Sequence, residues 1–118
     1  MLEEVAEIGF DYVELSHGIR VSLVPGIIKA VNDKVVRVSS VHNFCPLPPS
    51  IHHAAPNLYE PTSKDKREIE LWQRYTSKTI DFAVQLKAPC VVLHGGSAII
   101  FWDRALRKLL RYRKIKSP

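Results

Sequence analysis

The apolar positions of this chain fall into alternating helical and extended stretches. Residues 2–8 read as a short helix that Gly9 ends, at the position where a left-handed cap is wanted. Residues 10–15 then alternate as a strand. Leu23, Ile27, Ile28 and Val31 share one face of a helix over about 23–31, with Pro25 tolerated in its first turn and Asn32-Asp33 closing it. The β-branched run over 35–41 reads as a strand. Residues 43–61 hold five of the eight prolines and read as an irregular loop, long enough to be functional or disordered. Thr62 or Ser63 is placed to cap a helix in which Ile69, Trp72, Thr76, Ile80, Ala83 and Leu86 recur at three- and four-residue spacing, with Trp72 on the core side. Pro89 stops it. Residues 90–93 are wholly apolar, as in a strand buried on both faces of a parallel sheet. From about residue 99 a basic amphipathic helix sets Trp102, Ala105, Leu106, Leu109 and Leu110 against arginines and lysines. No hairpin turn separates successive strands, so the α-β-α-β-α-β-α order predicts an α/β fold with right-handed crossovers and parallel strands.

Composition narrows the class. A chain of 118 residues, 46% hydrophobic and 25% charged, suits one globular domain. No stretch is apolar for long enough to span a bilayer, and the acidic start lacks the basic lead of a signal peptide, which points to the cytoplasm and away from membranes. Cys45 and Cys90 form no metal-type spacing and read as reduced thiols. The net charge of +5 is unevenly placed: residues 1–103 carry 10 basic against 12 acidic groups, a balance of −2, and the other seven basic residues follow Asp103. Without aromatic or glycine-arginine interleaving, that tail fits the solvated face of an outer helix better than a nucleic-acid or membrane contact.

Three strands each deliver a chemically capable side chain at the carboxyl end, where parallel α/β folds place their sites. They are Glu14, His42 and His94, the last followed by Gly95-Gly96. Glu14 suits a substrate contact or a carboxylate beside a metal; the plainer reading is a solvated loop entrance. His42 and His94 suit a divalent ion or a sugar oxygen, although a lone strand-end histidine serves equally as a hydrogen-bonded structural residue. Adjacency of the pair favours function. Arg20 could meet a phosphate group, and Asn57 is a weaker substrate-contact candidate. His52-His53 reads as a solvated pair.

Four blocks occur together in order: Leu2-Glu-Glu-Val-Ala-Glu-Ile-Gly-Phe-Asp-Tyr-Val-Glu14, Ser40-Val-His42 with its proline-rich loop, Thr79-Ile-Asp-Phe-Ala83, and Val91-Val-Leu-His94-Gly-Gly. This ordered set, over residues 2–97, resembles the xylose isomerase-like TIM barrels, a superfamily of sugar phosphate isomerases and epimerases and endonuclease IV-type AP endonucleases. The sugar isomerase branch is the closer match. The resemblance implies one partial barrel domain over residues 1–118 that supplies strands two to four of eight and lacks the first and last strands, with 98–118 left as the basic helix. It implies a sugar or sugar phosphate as ligand, a divalent cation (Mn, Mg, Zn or Co), and metal-dependent isomerisation or epimerisation. Glu14, His42, Asn57 and His94 would contact substrate, and His42 and His94 metal. The family's other metal ligands lie on later strands, so the isolated chain is expected to be incomplete and inactive. Two alternatives stand beside this: a non-catalytic fragment or half-barrel acting through self-association or with a complementary half, and a zinc-dependent AP endonuclease, which the acidic body disfavours. Lys87 stands where many family members have a glycine.

Overall fold

A computed structural model describes residues 1–97. The amphipathic helix read from about residue 99 lies outside the described residues. The elements are α1 (Leu2–Glu7), β1 (Tyr12–Leu15), a 3-10 turn (Val21–Leu23), α2 (Val24–Asn32), β2 (Arg37–His42), α3 (Lys66–Gln85) and β3 (Val91–Val92). The strands form a parallel sheet in the order β1-β2-β3, so each helix between them is a crossover, as the absence of hairpin turns implies.

The sheet's apolar side packs on the helices. Leu15, Val38 and Val41 form one buried cluster with Ile27 of α2, with Phe82 and Ala83 of α3 and with Leu86 at its C-cap, each large aliphatic or aromatic side chain contributing on the order of 1.5–3 kcal/mol by leaving water. Along α3 the buried stripe is Thr76, Thr79, Phe82 and Ala83, a rotation from the one that the periodicity predicts. Ile80 is exposed and Trp72 half-buried, because two threonines take the inner positions in order to bind the loop after β2.

Helices α1, α2 and α3 end in the same way. Phe10 N–H donates to Val5 O and Gly9 N–H to Ala6 O; Val35 pairs with Ala30 and Lys34 with Val31; Ala88 pairs with Ala83 and Lys87 with Val84. These are Schellman caps, and the residue at the turn has φ of 105° at Gly9, 60° at Lys34 and 56° at Lys87. At the other end of α3 the cap is Asp65, whose carboxylate accepts from Arg67 N–H. The expected caps sit further upstream: Ser63 instead hydrogen-bonds Glu68 and accepts from Asp65 N–H, and Thr62 is engaged with the segment after β3.

The proline-rich connection is core at its start. Asn43, Phe44, Cys45, Leu47 and Pro48 are buried. Asn43 Nδ2 donates to Thr76 Oγ1 at 2.8 Å, and Cys45 N–H donates to Thr79 Oγ1 at 3.1 Å. Tyr59 lies between Phe44 and Tyr75, stacked on the latter at 5.8 Å between ring centroids. Among the described residues no helix is long and apolar enough to cross a membrane.

Candidate metal centre

A slip in strand register decides which way His42 faces. β1 and β2 pair Val13 with Val38, but the next pair is Glu14 with Ser40, so Ser39 is an extra residue on β2. Strand side chains alternate between faces; without the bulge, His42 would share the face of Val36 and Val38 and enter the apolar core. With it, Val38 and Val41 both face the helices, three residues apart, while Ser40 and His42 turn to the opposite face beside Glu14. Ser39 Oγ donates to Val13 O at 3.2 Å across the slip.

Two further histidines join His42. His94 lies two residues beyond Val92, the partner of His42 in the β2–β3 register, and Asn43 N–H donates to Val92 O at 2.9 Å to lock that alignment. His17 lies two residues beyond Leu15, in a loop fixed by Leu47 N–H donating to Ile19 O at 2.8 Å. The ring centroids are 5.9 Å apart for His17 and His42, and 6.3 Å for each ring with His94. One nitrogen from each ring lies within 4.8 Å of the others. His17 Nδ1, His42 Nδ1 and His94 Nε2 are buried without a hydrogen-bond partner.

The other nitrogen of His42 is taken. Its Nε2 stands 2.8 Å from Glu14 Oε1, and Ser40 Oγ donates to Glu14 Oε2. The Ser40 hydrogen bond, followed by the imidazole of His42, holds the Glu14 carboxyl below the usual carboxylate range. The carboxylate is thus engaged at both oxygens while its side chain remains 53% exposed.

Three clustered imidazoles, each with a buried nitrogen that has no partner, fit a metal ion on chemical grounds. Buried polar atoms ordinarily find partners, and imidazole suits Zn²⁺, Cu²⁺, Ni²⁺ and iron. Tetrahedral zinc with Zn–N near 2.0–2.1 Å sets its nitrogens about 3.3 Å apart, so closing from 4.8 Å asks only for small ring movements.

No protein-family model, curated protein or solved structure matches this chain. The site therefore stands on its own residues. Of those read from sequence, Glu14, His42 and His94 come together. Asn57 is exposed in the loop between β2 and α3, and Arg20 donates to the His52 carbonyl at 3.4 Å. His52 and His53 are exposed. His17 is the member that sequence reading missed. Its signal was the pair His17-Gly18 directly after a strand, the same signature that drew attention to His94-Gly95.

Proposed function

We propose that His17, His42 and His94 bind a divalent transition-metal ion, and that this centre serves a metal-dependent sugar or sugar-phosphate isomerase or epimerase built as part of a TIM-type barrel. The observation that carries the proposal is the convergence of three imidazoles, each bringing a nitrogen within 4.8 Å of the others and each holding a buried nitrogen without a partner. Parallel order, crossover helices and a site at the carboxyl ends of three adjacent strands support the barrel reading. The all-nitrogen donor set favours Zn²⁺ or Co²⁺ over Mg²⁺ and Mn²⁺, which prefer oxygen. Such an ion supplies Lewis acidity toward the carbonyl or hydroxyl oxygen of a sugar.

The chain's own residues bind and orient. Glu14, Ser40 and His42 share the sheet face opposite Leu15 and Val41, which pack against the helices. Proton transfer next to a carbonyl needs a free base. Glu14, the carboxylate in contact with the histidine cluster, is engaged by Ser40 and His42. The proposal for residues 1–97 is accordingly metal and sugar binding without turnover.

The test is calorimetric titration of the purified chain with Zn²⁺ and Co²⁺, then of the loaded protein with a ketopentose phosphate. One equivalent of metal, lost in His17→Ala and His94→Ala, followed by saturable sugar-phosphate binding, is the expected result. Metal binding without any sugar affinity overturns the isomerase reading. A zinc-dependent hydrolase of the AP-endonuclease type is the second reading, favoured by the all-histidine donor set; tight binding of abasic-site DNA in place of sugar phosphate would establish it.

A further inference from the structure

We propose that Glu14 is a positioning residue of the metal site: anchored by Ser40, it holds His42 so that Nδ1, not Nε2, is the nitrogen offered to the ion. This rests on the metal reading above and names what sets the site's geometry.

Three observations carry it. The register slip places Ser40, Glu14 and His42 together on one face, with Glu14 and Ser40 paired directly across β1 and β2. Both carboxylate oxygens are engaged, Oε2 by the buried Ser40 hydroxyl and Oε1 by His42 Nε2 at 2.8 Å. His42 Nδ1, the ring's other nitrogen, is buried and unpartnered, and His42 brings a ring nitrogen within 4.8 Å of those of His17 and His94.

The chemistry follows from the imidazole. A neutral ring carries one N–H and one lone pair, and whichever nitrogen donates a hydrogen bond leaves the other to coordinate. A carboxylate accepting from Nε2–H fixes the tautomer with the lone pair on Nδ1 and also fixes the ring plane. It makes that lone pair a better donor, as outer-shell carboxylates do for metal-bound histidines. The seryl hydroxyl then stops the carboxylate from rotating toward the ion to become a ligand itself. Glu14 acts through His42, and neither the ion nor a sugar need touch it.

The experiment measures Zn²⁺ and Co²⁺ affinity by competition with a chromophoric chelator, together with the visible spectrum of the Co²⁺ protein, for the native chain, Glu14→Gln, Glu14→Ala, Ser40→Ala and the exposed-loop control His53→Ala. Glu14→Ala is expected to weaken binding by about 10- to 100-fold with Co²⁺ bands in the native positions, since all three ligands remain. Glu14→Gln, which can still accept from Nε2–H but carries no charge, should fall between Ala and native. Ser40→Ala should weaken binding less than Glu14→Ala, and His53→Ala should match the native chain. In the metal-free protein, nitrogen NMR of His42 should report the Nε2–H tautomer, giving way to a mixture in Glu14→Ala. Affinity of Glu14→Ala within twofold of native, or Co²⁺ bands showing a lost ligand, overturns the inference while the metal reading survives. A native chain that takes up neither cation overturns the metal reading and this inference with it.

Discussion

Thr79→Val tests whether the loop leaving His42 is held by hydrogen bonding or by shape alone. Thr79 is 1% exposed, and its hydroxyl accepts from Cys45 N–H at 3.1 Å while donating to Tyr75 O at 3.1 Å. Valine is close in volume, so no cavity opens and the packing term is small. Tyr75 O is a helical carbonyl, which the backbone ladder of α3 already serves. Cys45 N–H has no such reserve: it lies in a residue of 0% exposure, and an unpaired buried donor costs about 1–3 kcal/mol. Near 2 kcal/mol, a domain of this size would melt roughly 10 °C lower. Thr79→Ser separates the terms, because it keeps the hydroxyl and loses one methyl, a change of about 1 kcal/mol. The assay is urea unfolding of the three proteins, with amide hydrogen exchange at Cys45. Valine should be the worse substitution and should speed exchange at that amide. Valine as stable as native, or serine the more damaging of the two, would refute the reasoning and leave shape as the anchor of the loop.

Four other outcomes are expected. Gly96→Ala should destabilise the fold by about 2 kcal/mol, because φ is +90° and the new Cβ would clash with Thr62 Oγ1, the atom that also accepts from Ser97 N–H; in urea unfolding, Thr62→Gly should rescue the steric part and leave the backbone part. Lys34→Gly and Lys87→Gly should each raise stability by about 1 kcal/mol, since both lysines occupy left-handed cap positions that favour glycine, and a fall in melting temperature for both would count against the caps. Burial pushes the Cys45 thiol up to about 12, leaving it about a thousandfold less thiolate than an unshifted thiol, so an alkylating reagent at pH 8 should label exposed Cys90 and reach Cys45 only on unfolding. The same shift should lower stability as pH rises from about 9 toward 12, where the unfolded chain releases a proton that the folded one keeps.

How far the fold was legible depends on how local its causes are. Gly9 announces the end of α1, because only glycine takes a φ of 105° freely. The ends of α2 and α3 use lysine in the same conformation, and there the flanking Asn32-Asp33 and Pro89 gave the boundary without its mechanism. Prolines mark 43–61 as an irregular loop, because they forbid regular structure, and give no sign that 43–48 is core. Its burial depends on Thr76 and Thr79 offering hydroxyls from a helix some thirty residues away, which no local pattern reports. The strand-end positions of Glu14, His42 and His94 were legible from apolar runs that stop on polar residues. Their mutual contacts were not.

The site itself shows the same division. In Val36-Arg37-Val38-Ser39-Ser40-Val41-His42 the apolar spacing changes from two to three at the serine pair, and a strict alternation would have buried His42 against α3. That broken phase is the written form of the bulge, and the side chains it redirects are the two on β2 that matter: Ser40 to Glu14, and His42 to the other histidines. Removing the extra residue should therefore leave both the site and the sheet in place. Deleting Ser39 joins Val38 directly to Ser40, and plain alternation then sets Val38 and Val41, whose exposure is 0%, on the core side and Ser40 and His42 on the other. The pairs Val13 with Val38, Glu14 with Ser40 and Leu15 with Val41 would follow one another without a slip. Retained metal uptake in a chain that keeps its circular-dichroism spectrum is the expected result. Lost uptake would mean that the bend and twist of the bulge, and not only the facing of the side chains, bring the histidines together.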